Sequence, residues 1–352
     1  MHTDRQALIH QAIASELAID CAEEVSRIEA FLVQTTARQL NRRGLVLGVS
    51  GGIDSAVCAT LATRAVGRER VFALLMPERE SSSDATERAR CLCDSLGIGY
   101  AIEDISEGLA GIGCYDRRDE ALRRLFPDYG PGWRHKIALT AVGNGRIPRF
   151  DVIVETPEGR QMTKRLPTDI YLQLVAATNF KQRLRKNLEY FHAERLNYAV
   201  LGTPNRLEYE LGFFVRGGDG LADVKPIAHL FKTQVYAVAE YLGVPEEIRR
   251  QPPSTDTYSL PQTQEEFYFA LSYDRADVAL HGLANGLAAE QVAPALGLSA
   301  EQTREIFRDF DGKRRVAARS LRQALVLADR PNALRQPEPT DDSTGRPIPA
   351  DN

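Results

Sequence analysis

Cysteine is scarce in this 352-residue chain, and the few present do not suggest pairing. Cys21, Cys58, Cys91, Cys93 and Cys114 are odd in number and irregular in spacing. No CxxC pair occurs, which removes a disulfide framework, a zinc ribbon and a dithiol redox pair. Cys91 and Cys93 lie two apart on a predicted helix and so diverge, which argues against thiol transfer. A basic excess is lacking too. Lys and Arg number 44 against 48 Asp and Glu, a net charge of −4, where a general nucleic-acid binder is usually basic. No apolar run approaches the length of a transmembrane helix, and the opening MHTDRQALIHQ has no apolar signal-peptide core. With 43% hydrophobic and 26% charged residues, what remains is a soluble globular protein. It is expected in a reducing cytoplasm, with neither nucleic acid nor membrane as partner.

Against these absences stands one dense motif, Ser50-Gly51-Gly52-Ile53-Asp54-Ser55. It follows the apolar run Leu45-Val46-Leu47-Gly48-Val49 and precedes a segment with apolar positions at Val57, Leu61 and Ala65. That order reads as a buried parallel strand, a Gly-rich turn and a helix. Adjacent glycines let backbone N–H groups close on an anion, and the helix N-terminus adds its positive end at the same point. Ser50 and Ser55 can donate to phosphate, and Asp54 can hold an accompanying Mg²⁺. The loop is not GxxxxGK[ST], because no Lys follows the glycines. A plain Gly-rich strand–helix turn is the competing reading, and the intact S-G-G-x-D-S string favours the phosphate cradle.

Around this unit the pattern alternates. Residues 23–40 have helical spacing, with Val25, Ile28, Phe31 and Leu32 on one side. A second strand is predicted over 71–76, a helix over 86–96 with Ser82, Ser83 or Asp84 as its N-cap, and a third strand over 99–105. Alternating strands and helices predict an α/β fold, a doubly wound Rossmann-like parallel sheet with flanking helices. Ligand then sits outside the carboxyl ends of the strands, where the motif lies. Residues 106–170 read as an insert containing a β-hairpin, strands 151–155 and 161–164 around Thr156-Pro157-Glu158-Gly159. A helix over 170–194, a strand over 198–201, and helices over 231–242 and 264–285 follow. The expected organisation is a single domain over 1–330, with a helical end over 264–330 and a disordered tail over 331–352. Residues 287–309 resemble a helix–turn–helix; charge and context favour two short helices packing at a domain end.

Four further segments match one family in order. They are Asn179-Phe180-Lys181-Gln182-Arg183-Leu184-Arg185, the run from Gly202-Thr203-Pro204-Asn205-Arg206-Leu207-Glu208 to Gly218-Asp219-Gly220 and Asp223, the segment Phe231-Lys232-Thr233-Gln234-Val235, and Pro253-Ser254-Thr255-Asp256. Over about residues 23–320 the chain resembles the NAD synthetases, within the N-type ATP pyrophosphatases. The resemblance implies that ATP, as co-substrate, adenylates the carboxylate of nicotinic acid adenine dinucleotide, and that ammonia then forms the amide of NAD. It also implies Gly48, Val49, Ser50, Gly51, Gly52, Ile53, Asp54 and Ser55 as the ATP loop, with Thr203, Lys232 and Ser254 as further ATP contacts. Asp54 and Glu208 correspond to Mg²⁺ ligands, Asp54 and Lys232 to catalytic positions, and Arg183, Arg216, Asp223 and Lys313 to positions that bind the dinucleotide.

The chain departs from the family on the acceptor side. Val215, Arg216 and Gly217 stand where the family commonly has Thr, Lys and Tyr, and Gly312 replaces a His. These departures, together with a run over 255–268 that is longer and more aromatic than the family's, keep open an alternative, an N-type ATP-dependent amide ligase for a different carboxylic acid. No amidase unit is visible, so ammonia is expected to arrive free or from a separate glutaminase. The helices over 23–40 and 171–194 are expected to offer apolar faces for a homodimer.

Overall fold

The computed structural model describes residues 15–139, 150–253, 258–262, 268–269, 271–322 and 324, together with 340–341 and 346–347. The chain divides into a compact unit, Met1–Ser320, and a second unit, Leu321–Asn352. The first runs α1 (Cys21–Gln34), β1 (Leu45–Gly48), α2 (Ile53–Val66), β2 (Val71–Leu75), α3 (Ser83–Leu96) and β3 (Gly99–Ile102). Next come α4 (Ser106–Gly111), α5 (Cys114–Arg123), β4 (Arg134–Leu139), β5 (Phe150–Glu155), β6 (Gln161–Arg165), α6 (Thr168–Leu196) and β7 (Ala199–Val200). The remainder is helical: α7 (Arg206–Leu211), α8 (Lys232–Tyr241), α9 (Glu246–Arg249), α10 (Tyr273–Ala284), α11 (Ala289–Leu296) and α12 (Ala300–Ser320).

Strands β3-β2-β1-β7 form one parallel sheet in that order. Its strands are continuous apolar runs because both faces are covered. Leu45, Leu47, Ala73 and Leu75 pack with Val25, Ile28 and Leu32 of α1, Val57 and Leu61 of α2, and Val235 and Val238 of α8. The alternate residues Val46, Leu74 and Val200 pack on the other face with Leu109 of α4, Tyr115 of α5 and Ala193 of α6. The doubly wound sheet expected from sequence is therefore present.

Several local readings change. The helix over 23–40 is α1 followed by a π-helical turn, Thr35–Gln39, and Phe31 is 44% exposed rather than packed with Val25, Ile28 and Leu32. Strand β3 stops at Ile102, and β7 has only two residues, extended by a parallel bridge between Leu201 and Val224. Ser82 occupies the N-cap position of α3 without a capping side-chain hydrogen bond. The last helices include α10, which begins at Tyr273; most of 263–272 before it lies outside the described residues.

The insert holds more than a hairpin. Strands β5 and β6 pair antiparallel as expected, but β4 adds a third strand to their sheet, and α4 and α5 precede it. The sheet packs on α5 and the start of α6 through Leu122, Phe126, Ile137, Val152, Val154 and Leu174. Strand β4 was hidden because its inward positions are His135 and Ile137, and a histidine breaks the apolar alternation.

Helices α7, α10, α11 and α12 share a separate core of Leu207, Leu211, Leu280, Val292, Leu296, Ile306 and Phe310. The 287–309 segment is α11 and the start of α12, turning at Gly297 with φ +63°, and α12 buries Thr303, Ile306 and Phe310 inward. That is the packing reading of this segment. In the second unit Thr340–Asp341 pairs antiparallel with Arg346–Pro347; the tail expected over 331–352 otherwise lies outside the described residues.

The buried His135 makes the insert sensitive to acid. Its Nδ1 lies 3.3 Å from the Tyr129 hydroxyl and 3.2 Å from the Ser259 hydroxyl. Burial, helped by Arg118, holds the imidazole down to about 3, against about 6.5 in an unfolded chain. Only the unfolded chain takes up the proton between those values, so this stability is present above about pH 6.5 and is lost as pH falls. From about pH 7 to about pH 5 the wild type should lose roughly 2 kcal/mol more than His135→Gln, as read by urea unfolding. Equal losses would remove His135 as the cause.

Candidate active site

The phosphate loop leaves the carboxyl end of β1 and enters α2. Gly51 has φ +81°, and a Cβ there would stand 2.3 Å from the Ala85 carbonyl oxygen, so only glycine fits. The loop is closed on itself by short polar contacts. The Ser55 hydroxyl donates to the Gly52 carbonyl at 3.0 Å and accepts from the Ser50 amide at 3.3 Å, while the Ser50 hydroxyl accepts from the Gly52 amide at 3.3 Å. Gly52 is the N-cap of α2 and supplies no capping side chain, so the first turn presents its N–H groups to the cavity. Such a helix start favours an anion.

Asp54, in the first turn of α2, meets two chain-distant groups. Lys232 Nζ is bound to Asp54 Oδ2, and Asn205 Nδ2 donates to Asp54 Oδ1 at 3.2 Å. Asn205 also starts α7. Its Oδ1 accepts the Glu208 amide at 3.1 Å, and Glu208 Oε2 accepts the Asn205 amide at 3.1 Å, a reciprocal capping box. Lys232 is the first residue of α8, fully buried, with its ammonium 5.2 Å from the Tyr273 ring centroid. Asp277 of α10 fixes that helix start, accepting the Thr233 amide at 2.8 Å and the Lys232 amide at 3.3 Å.

The electrostatics follow from burial. Burial first, then Asp54, pushes the Glu208 carboxyl up to about 8. Burial works against the Lys232 ammonium, but Asp54 and Glu208 outweigh it and hold it above its ordinary value. Two carboxylates thus share one lysine in a desolvated place. That donor set fits a hard divalent cation, which takes oxygen ligands and keeps further positions for phosphate and water. Among the described residues no group of three or more His, Cys, Asp or Glu side chains forms a ready-made metal cage, so such an ion would need ligands from a bound polyphosphate.

A cavity of about 630 Å³ opens over this point, within the range of nucleotide-sized pockets. Two charged clusters in its wall were not singled out from sequence. Glu189 of α6 accepts from Lys186 at 2.6 Å, and its other oxygen would lie 3.1 Å from a Cβ at Gly48. Burial raises the carboxyls of both Glu189 and Asp219. Lys181, buried and lining the cavity, binds Glu78 at 2.8 Å and Glu80 at 2.7 Å behind it, while Arg118 binds Glu80 and the Tyr115 hydroxyl donates to Glu78 at 2.8 Å. The Asn205–Glu208 spacing, N-x-x-E, carries a capping signal that was legible. Nothing local announces the Lys181–Glu78 pair, because partners 103 residues apart meet only in the fold, while Lys186 and Glu189, three apart on one helix, read as an ordinary solvated helix pair until the fold buries them.

Of the positions singled out from sequence, Gly48 through Ser55, Thr203 and Glu208 all line the cavity. Lys232 lies behind it and reaches Asp54. The four acceptor-side positions are not among its lining residues. Arg183 Nε donates to the Arg216 carbonyl at 3.2 Å. Asp223 accepts from the Val200 amide at 2.8 Å and the Tyr190 hydroxyl at 3.2 Å. Lys313 donates to the Tyr268 carbonyl at 2.8 Å, from behind a cavity-lining ring. Ser254 lies outside the described residues.

With this geometry in hand, the chain can be compared with known proteins. The NAD synthase family matches residues 24–118 and 152–315. An NH(3)-dependent NAD(+) synthetase of Rhizobium rhizogenes is 51% identical over 322 residues, covering 91% of this chain and 96% of that protein. The Rhizobium meliloti protein of the same name is 54% identical over 303 residues, covering 86% and 90%. Among solved structures, an NH3-dependent NAD synthetase of Campylobacter jejuni aligns with TM-score 0.58 at 24% identity, over 88% of this chain and all of that one. An NMN synthetase of Francisella tularensis aligns with TM-score 0.61 at 23% identity, again over 88% and 100%. These two likenesses concern the fold alone.

The Lys232–Asp54 pair has a measurable consequence. Lys232→Met keeps the length of the side chain and removes its charge, leaving Asp54 and Glu208 without a counter-ion. The expected loss of stability is about 3 kcal/mol. Asp54→Asn combined with Lys232→Met should recover much of it, because both charges leave together. Strictly additive losses in urea unfolding would show that the two side chains do not act as a pair.

Proposed function

The chain belongs to the NAD synthase family, and from that premise we propose that it is an ammonia-dependent NAD synthetase. It adenylates the carboxylate of nicotinic acid adenine dinucleotide with ATP, and ammonia then forms the amide, releasing AMP and pyrophosphate. The observation that carries this reading is the convergence, in one cavity, of an anion-cradling loop with Asp54 and Glu208, backed by Lys232. A carboxylate is a poor electrophile until its oxygen is esterified to a phosphate. In the first step the acceptor oxygen bonds to the α-phosphorus and the α–β bridge breaks. In the second, ammonia bonds to the carbonyl carbon, the bond to AMP breaks, and the nitrogen loses a proton.

The residues divide this work. Ser50, Ser55 and the first-turn amides of α2 hold the departing pyrophosphate, where fixed N–H donors stabilise developing charge. Lys232 pairs with Asp54 and adds a cation beneath the phosphates; Thr203, and Ser254 beyond the described residues, contribute further ATP contacts. Asp54 and Glu208 hold Mg²⁺, which when bound neutralises phosphate charge. Arg183, Arg216, Asp223 and Lys313 serve the dinucleotide outside the cavity lining. Arg216 can make a forked contact to phosphate or carboxylate where a lysine offers a point charge. Five unpaired thiols suit a reducing cytoplasm, and ammonia comes free or from a separate glutaminase.

We also propose a homodimer. The face of α1 made by Val25, Ile28 and Leu32 is already used within the chain, so the contact falls to exposed residues such as Leu172 and Phe191 of α6, 59% and 57% exposed. Sedimentation should give a dimer that Phe191→Arg weakens. A fully active monomer at micromolar concentration would overturn this part.

The reaction has its own test. With ATP, Mg²⁺ and ammonium the purified protein should convert the nicotinate dinucleotide to NAD. Asp54→Asn and Glu208→Gln should each lose at least about a hundredfold in pyrophosphate release while keeping the wild-type circular dichroism. The glutamine at 208 retains an oxygen for the capping box. Pyrophosphate release driven only by some other carboxylic acid would transfer the assignment to a different amide ligase, the reading that Val215 and Gly217 motivate.

A further inference from the structure

One part of the chain lies outside the family match and still reaches the cavity. Residues 119–151 separate the two matched segments, and they include all of β4 and the start of β5. Phe150, the first residue of β5, lines the cavity and stacks on Tyr171 of α6, with ring centroids 4.5 Å apart and planes within 15°. The same sheet grips the 258–262 segment. The Leu260 amide donates to the His135 carbonyl at 3.0 Å, the His135 amide donates to the Ser259 hydroxyl at 2.9 Å, and the Gln262 amide group donates to the Ile137 carbonyl. Tyr258, which opens that segment, belongs to the core of the insert and also lines the cavity.

We propose that the insert is part of the acceptor site: Phe150, Tyr171 and Tyr258 form an aromatic wall that receives the positively charged pyridinium ring of the dinucleotide. This rests on the NAD synthetase reading. A pyridine carboxylate joined through nitrogen to ribose carries a positive charge on its ring, and aromatic faces attract such cations. The wall continues toward the acceptor side. Tyr171 packs against the same core as Tyr258, and Tyr268, also in the lining, meets Phe213 at 4.9 Å, in the segment that carries Arg216. The lining beside the phosphate loop has a different character, with Ser81, Ser82, Ala85 and Thr86 small or polar. Three hydrogen bonds from β4 hold the 258–262 segment, so this wall is a product of the inserted sheet.

The test uses Phe150→Leu and Tyr171→Leu, with Tyr171→Phe as the conservative variant and circular dichroism to check folding. In each leucine variant KM for the nicotinate dinucleotide should rise about tenfold, and KM for ATP should stay within about twofold of wild type. Binding of NAD and NADH, which share an outline but differ in ring charge, supplies a readout that a structural defect would not move. The wild-type preference for the pyridinium form should shrink by about the same factor in the leucine variants and persist in Tyr171→Phe. A rise in KM for ATP instead, or an unchanged preference between the two rings, would overturn the assignment while leaving NAD formation by the wild type intact. Failure of the wild type to form NAD would overturn the underlying reading and this wall with it.

Discussion

A lysine with no access to water holds this architecture together at its centre. Lys232 begins α8, and its charge is tolerated only because Asp54 and Glu208 stand beside it. An unpaired buried charge costs several kcal/mol, so the arrangement is all or none. The phosphate loop must bring Asp54, the start of α7 must bring Asn205 and Glu208, and α10 must bring Asp277 to the start of α8. Four stretches that are remote in sequence are thereby fixed against one another. Their meeting point lies at the carboxyl end of the parallel sheet, where an open α/β sheet offers its crevice.

The same crowding that fixes the elements prepares the chemistry. Glu208 resists ionisation while it is buried beside Asp54, and a divalent ion carrying phosphate ligands would relieve both carboxylates at once. Elsewhere in the wall, Glu189 with Lys186 and Lys181 with Glu78 and Glu80 are closed pairs, neutral in sum or nearly so. They shape the cavity without adding a large field of one sign, which leaves the loop and the start of α2 as its anion-attracting end.

Much of this could be read from the chain before folding. The strands of the parallel sheet announce themselves as apolar runs, and the S-G-G-x-D-S string, with Thr203 and Glu208, maps onto the cavity wall. What escaped did so for physical reasons. Strand β4 turns a histidine inward, so its period is invisible to an apolar count. Helix α1 keeps Phe31 outside because a neighbouring row, Val25, Ile28 and Leu32, already fills the interface with α2 and α8. Lys181 and Lys186 look like solvated helix charges until α6 is laid across the sheet and their carboxylate partners arrive from elsewhere or from the next turn. Arg183, Arg216, Asp223 and Lys313 were legible only through family likeness; none lines the cavity, and the side chains of Arg183, Asp223 and Lys313 are held by partners within the chain.

Gly51 gives the phosphate loop a property beyond its shape. With the Ala85 carbonyl filling the space where a side chain would be, and with Ser50, Gly52 and Ser55 tied to one another, the loop has little freedom left to surrender. Ordering entropy that a slack loop would lose on meeting its ligand has here been lost already, during folding. The cradle is therefore rigid before any nucleotide arrives, and the contact with Ala85 ties that rigidity to the first turn of α3. A displacement at either place would be felt at the other, so that this half of the site behaves as a single stiff body.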